Sequence, residues 1–172
     1  IIMSVLIVTV VRSGSSRLLE AVSKAYGKVG ILEPTTPGYI ADFDPTVDVV
    51  KIAVQTLTTS DTLELISKFD KTILLDRKDK LAQAISYLNL HTHMKGKHNS
   101  KYVSKEFTQE EIDNALQRLE STRVQLTEIS KETSIPIVYL EDLIQFKDIG
   151  VQYDKSFFTK ELKLRQEKEQ LI

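Results

Sequence analysis

Two arginines, three serines and a glycine crowd one short stretch, Arg12-Ser13-Gly14-Ser15-Ser16-Arg17, directly after the apolar run Val5 to Val11. These residue types hold anions. A glycine at a strand-to-helix turn lets successive backbone N–H groups converge, and the helix N-terminus adds its own positive end. Ser13, Ser15 and Ser16 contribute hydroxyl donors, and Arg12 contributes a charged fork. Leu18, Val22 and Ala25 follow at helical spacing, with Gly27 as a helix stop. The nucleoside-triphosphate motif needs a first glycine and then Gly-Lys-Ser/Thr, its hydroxyl on Mg²⁺. Here Thr9 stands at the first-glycine position and Ser15 at the lysine position. Conventional ATP or GTP hydrolysis is therefore disfavoured. The alternative reading of the stretch is an ordinary βα turn made of small residues.

Other residues invite chemistry less strongly. His91, His93 and His98 lie in "HTHMKGKHNSKYVSK", which contains no acid. Their spacing lacks the i, i+4 geometry of helical metal ligands, so a solvated basic loop is the simpler reading, with a lid over an anion as the sharper one. Lys51 interrupts an apolar segment and can face either the site or solvent. Lys163 and Arg165, in a charged tail of helical tendency, fit a solvated helix or a reach back to a phosphate.

The elements that must position these groups read as alternating strands and helices. Val5 to Val11 is β-branched and almost unbroken, as for a parallel strand buried on both faces. Residues 30–46 hold three prolines and two glycines and read as a long loop. A second strand is expected at Val47 to Leu57, then a short helix opened by Asp61 and Glu64 at capping-box spacing. "TILL" from Thr72 reads as a third strand, followed by a helix with Leu81, Ile85 and Leu88 on its apolar face. Thr108 and Glu111 form a capping box for a long amphipathic helix through Ile112, Leu116, Leu119, Leu126 and Ile129. "IPIVYLEDL" supplies a fourth strand running into a turn or short helix. The expected fold is one three-layer α/β domain over residues 1–172, its largely parallel central sheet flanked by helices.

Composition agrees with that expectation. The 172 residues are 41% hydrophobic, enough for one real core. A formal net charge of −1 gives no global field for nucleic acid. With no cysteine, disulfides and thiolate zinc sites are excluded. Val5 to Val11 is too short to span a bilayer or to read as a signal peptide, so a cytoplasmic protein is expected. One exposed long amphipathic helix would be consistent with a homodimer.

"VVRSGSSRLLEAV" resembles the 5′-phosphosulfate loop of the sulfotransferase family, in which a basic residue precedes Ser-Gly-Thr/Ser-Thr/Ser. "LLDRKDKLAQAISYL" is similar to that family's second motif, a strand ending in Arg and a helix carrying Ser. Its "DKLAQAIS" wording is nearest the bacterial trehalose-type branch. "GILEP" resembles the Gly-x-Glu-Pro that follows the first helix in many members. The resemblance implies a P-loop-type fold and, without a metal, sulfuryl transfer from 3′-phosphoadenosine 5′-phosphosulfate (PAPS), with the bisphosphate PAP as product. It places Arg12, Ser13, Gly14, Ser15, Ser16 and Arg17 on the 5′-phosphosulfate, with Arg12 also catalytic. Arg77 and Ser86 would bind the 3′-phosphate, with Lys78 replacing Arg77 if the shorter family spacing applies. Glu33 would be the catalytic base, although an acid beside a proline can also simply cap a turn. The acceptor would be a hydroxyl on a small molecule or carbohydrate, with no nucleic acid or membrane partner. The chain is short for this family. The rival readings are a divergent P-loop nucleotide or nucleoside kinase and a non-catalytic nucleotide-binding module.

Overall fold

The computed structural model describes residues 4–25, 30–32, 35–36, 39–40, 49–92 and 107–144. Strands β1 (Val5–Thr9), β2 (Gly30–Leu32), β5 (Val49–Ala53), β6 (Lys71–Asp76) and β7 (Ile137–Tyr139) form one sheet in the order β2-β5-β1-β6-β7. Every pairing in it is parallel. A separate two-stranded ribbon joins β3 (Thr35–Thr36) and β4 (Tyr39–Ile40). The helices are α1 (Ser15–Ala25), α2 (Thr59–Ser67), α3 (Lys80–Thr92), α4 (Gln109–Thr133) and α5 (Leu140–Ile144).

Alternation along the strands builds two cores. Leu6, Val8, Val50, Ile52 and Leu74 point to the face covered by α2, α3 and α4. Val5, Ile7, Val49, Ile73 and Leu75 point to the face covered by α1 and α5. β1 is buried along its whole length, because it lies mid-sheet with apolar layers on both sides. The domain is thus three-layered, as the β-branched strands and intervening helical patterns imply.

The connections decide where a site can form. From β1 the chain passes through α1 to β2 at one edge, whereas from β6 it passes toward β7 at the other. The loops leaving β1 and β6 therefore diverge from neighbouring strand ends. In open parallel sheets, the C-terminal edge at such a divergence is the usual ligand position.

Several local expectations hold and several need correction. The Thr108 and Glu111 capping box is formed in both directions, and Ser134 leaves α4 in the left-handed region. The cap of α2 is Thr58, whose hydroxyl accepts the Asp61 N–H, so Asp61 lies inside the helix rather than opening it. The stretch read as a loop over 30–46 contains β2, a three-residue edge strand too short to show a period between its flanking prolines and glycines. On α3 the Leu81, Ile85, Leu88 stripe is only partly the inward face: Leu88 packs against the core and Ile85 is half-buried, but Leu81 is not. Leu81 is 52% exposed, and Gln83, Ala84, Ser86 and Asn89 turn inward instead. A helix that buries three polar side chains is packed against something polar.

Among the described residues, no helix is long and apolar enough to cross a membrane. The seating of α4 gives a direct test of the fold. Leu126 is fully buried between α4 and the sheet. Leu126→Ala should lower unfolding stability by about 2–5 kcal/mol, seen as a reduced urea midpoint at unchanged slope. A loss under about 0.5 kcal/mol, typical of surface changes, would show that α4 is not seated there.

Candidate functional site

The loop between β1 and α1 is held in an uncommon backbone conformation. Arg12 has φ +63° and Gly14 has φ +76°, both left-handed. Glycine takes that region freely, while for arginine it costs roughly 1–2 kcal/mol. A Cβ at Gly14 would also sit 2.8 Å from Leu140 Cδ1, so that side chain would have to shift. Ser13 and Ser15 are buried and Ser16 is exposed. The Gly14 carbonyl accepts from Leu18 N at 3.1 Å, so α1 begins directly on the loop.

Two segments distant in sequence meet at this loop. Arg12 Nε donates to Ser86 Oγ at 2.8 Å across a separation of 74 residues. One turn earlier on α3, Gln83 Nε2 donates to the Val11 carbonyl at 3.0 Å and to Ser13 Oγ at 2.9 Å. It also lies 3.3 Å from Asp76 Oδ1. The inward polar face of α3 is therefore what fastens the loop to the end of β6.

Behind Gln83 stands a buried ion pair. Arg123, from the middle of α4, donates from Nε to Asp76 Oδ2 at 2.6 Å and from an Nη2 hydrogen to Gln83 Oε1 at 2.7 Å. Its Nη1 donates to Glu120 Oε2, also at 2.6 Å. The side chains of Arg123 and Asp76 are only 11% and 3% exposed, so each charge relies on the other. Burial opposes the charge on Arg123, but hydrogen bonds to Asp76 and Glu120 outweigh it and raise its pKa above the ordinary arginine value. The hydrogen bond from Arg123 holds Glu120 below the usual carboxylate range.

The loop after β6 offers another set of groups. Arg77 N donates to Asp76 Oδ1 at 2.7 Å, which turns the chain sharply at the strand end. The Glu141 carboxylate accepts from the backbone N–H of Lys78 and of Asp79, fixing this loop to the start of α5. Lys78 Nζ is bound to Asp142 at 2.8 Å and lies 5.5 Å from the centre of the Tyr139 ring. The hydrogen bond to Asp142 raises the Lys78 pKa. Among the described residues, no hydrogen bond or ion pair engages the Arg77 guanidinium, so of the two basic residues Arg77 is the one not committed to a carboxylate.

Of the residues singled out in the sequence, the fold brings Arg12, Ser13, Gly14, Ser15, Ser16 and Ser86 to one end of the sheet, with Arg77 at the adjacent strand terminus. Glu33, His93, His98, Lys163 and Arg165 lie outside the described residues, as do the side chains of Arg17 and His91. Gln83, Asp76 and Arg123 were not singled out in the sequence, and Lys51 was left facing either the site or solvent. Lys51 sits in β5 at 4% exposure, its Nζ donating to Ser16 Oγ at 3.3 Å. The available signal was polarity at core positions: Asp76 closing an apolar strand, Gln83 one turn before Ser86, and Lys51 inside a β-branched run. Among the described residues, no group of three or more histidines and acids could hold a metal ion. Comparison with protein-family models and with curated protein sequences returned no match.

The buried pair is testable through stability. Arg123→Met leaves the Asp76 carboxylate buried without its cation and should cost about 3–5 kcal/mol in urea unfolding. Adding Asp76→Asn should restore much of that loss, because the stranded charge is gone. Additive losses in the double variant would show that the two residues are not coupled.

Proposed function

We propose that the chain is a sulfotransferase that takes a sulfuryl group from PAPS and passes it to a hydroxyl of a small-molecule or carbohydrate acceptor. The Arg12–Ser86 hydrogen bond carries this reading. It joins the residue expected at a 5′-phosphosulfate to the residue expected at a 3′-phosphate. One ribose separates those two groups in the donor. A ligand that seats one at the loop thus brings the other to α3. An isolated phosphate loop would need no serine from a helix 74 residues away.

The chemistry asks little of the protein beyond placement and charge. The acceptor oxygen bonds to sulfur while the bond from sulfur to the 5′-phosphate oxygen breaks, and that oxygen keeps the electron pair. Arg12, with the loop N–H groups and serines, offsets the negative charge gathering on the leaving oxygen and on the sulfuryl oxygens. Glu33 takes the proton that the acceptor hydroxyl loses. Ser86 and Arg77 hold the 3′-phosphate, Arg77 being preferred to Lys78 because Lys78 is tied to Asp142. The strained backbone at Arg12 fits a loop whose shape is set by function rather than by local preference.

Nucleotide choice tests this reading. PAP should raise the melting temperature well above AMP at equal concentration and without any metal, because only the bisphosphate engages both the loop and the polar face of α3. Equal shifts from AMP and PAP would remove Ser86 and Arg77 from the site. A larger shift from ATP with Mg²⁺ than from PAP would favour a phosphoryl-transfer enzyme instead.

A further inference from the structure

We infer that Asn89 recognises the sugar of the donor: its buried Oδ1 accepts a hydrogen bond from the ribose 2′-hydroxyl. That contact selects a ribonucleoside 3′,5′-bisphosphate over its 2′-deoxy counterpart, and it rests on the reading of Ser86 as the seat of the 3′-phosphate.

Asn89 is 3% exposed, and among the described residues its Oδ1 is the one buried side-chain polar atom without a hydrogen-bond partner. A buried acceptor left unpaired costs free energy, so its presence in an otherwise satisfied interior calls for a reason. The other buried polar side chains of α3 are committed. Gln83 bonds to Val11, Ser13 and Arg123, and Ser86 accepts from Arg12. Asn89 follows Ser86 by three residues, which sets the two on adjacent turns with Cβ atoms about 5–6 Å apart. Side chains on a helix lean toward its N-terminus, so the Asn89 amide leans back over the turn that carries Ser86.

The chemistry of the atom narrows its partner. An amide oxygen only accepts, so the group that completes it must bring an O–H or an N–H. The oxygens of an ionised phosphate bring neither. In the bisphosphate the donors are the 2′-hydroxyl and the adenine amine. The hydroxyl stands on the ribose carbon next to the one bearing the 3′-phosphate, whereas the amine lies at the far edge of the base. With the phosphate on Ser86, the 2′-hydroxyl is the donor nearest the following turn of α3. The ligand-free chain already carries the cost of the unpaired oxygen; a ribose ligand relieves it and a deoxyribose ligand does not. A site that bonds a substrate hydroxyl rejects the analogue lacking it far better than an apolar pocket rejects a missing methylene.

Calorimetric titration with PAP and with 2′-deoxyadenosine 3′,5′-bisphosphate tests this, on wild type and on Asn89→Leu, which keeps the bulk and removes the acceptor. Wild type should bind PAP about tenfold or more tightly than the deoxy ligand, the scale of one buried acceptor satisfied or left unpaired. Asn89→Leu should bind the two within about twofold of each other, with the loss falling on PAP. An asparagine that merely shapes the helix would weaken both ligands alike and leave their ratio as in wild type. Asn89→Ala supplies a second side chain without an acceptor if the leucine variant does not fold by circular dichroism. Wild type that binds the two ligands equally would overturn the inference while leaving the bisphosphate site standing. So would discrimination that persists in a folded variant without the acceptor. Wild type that binds neither ligand would overturn the proposed function and this inference with it.

Discussion

A carboxylate closed off from water at the end of β6 constrains the site more than any other group. Asp76 ends the strand at 2% exposure, and its charge must be met inside the protein. Arg123 meets it from α4, Gln83 approaches it from α3, and the backbone of Arg77 closes on it from the next residue. Satisfying Asp76 therefore fixes the rotation of α3 and the lateral position of α4. With α3 so rotated, Gln83 and Ser86 face the loop after β1 rather than solvent. The shape of the candidate anion site is in this sense a consequence of solvating one buried charge. Pairs of this kind add little net stability over apolar packing, but removing one partner is costly, which suits them to holding a geometry.

The same network explains how a strained loop is kept. Arg12 is left-handed, a conformation that persists only when its surroundings hold it. Val11 and Ser13, on either side of it, both accept from the Gln83 amide, and Gly14 lies against the Leu140 side chain, which a Cβ would have to displace. The backbone between those fixed points has few alternatives. The glycine that resembles a phosphate-loop signature also serves the left-handed backbone there and meets the Leu140 side chain of α5.

Much of the fold was legible in the residues. The β-branched run at β1, the capping box at Thr108 and the strand-to-helix passage near Ile137 each carry a local physical cause, and each forms where that cause predicts. Local causes fail where a distant partner decides. On α3, apolar periodicity favoured Leu81, yet Leu81 is exposed and Gln83 buried, because Asp76 and Arg123 compete for the inward position. Arg123 looks like one more charge on a polar helix until β6 is placed beside it. Lys51 could not be assigned to a face without the register that pairs it with Ile7. The candidate phosphate loop was readable because its residues are contiguous; the side chains that hold it come from three other elements.

The central claim is that the loop after β1 and the polar face of α3 form one site for a ligand with two anionic ends. A crystal structure with PAP bound measures this most directly. The account predicts the 5′-phosphate within hydrogen-bond distance of the backbone N–H groups from Ser13 to Ser16, and the 3′-phosphate on Ser86 with Arg77 beside it. PAP seated elsewhere, or held at the loop with its 3′-phosphate in solvent and Ser86 still bound to Arg12, would contradict it.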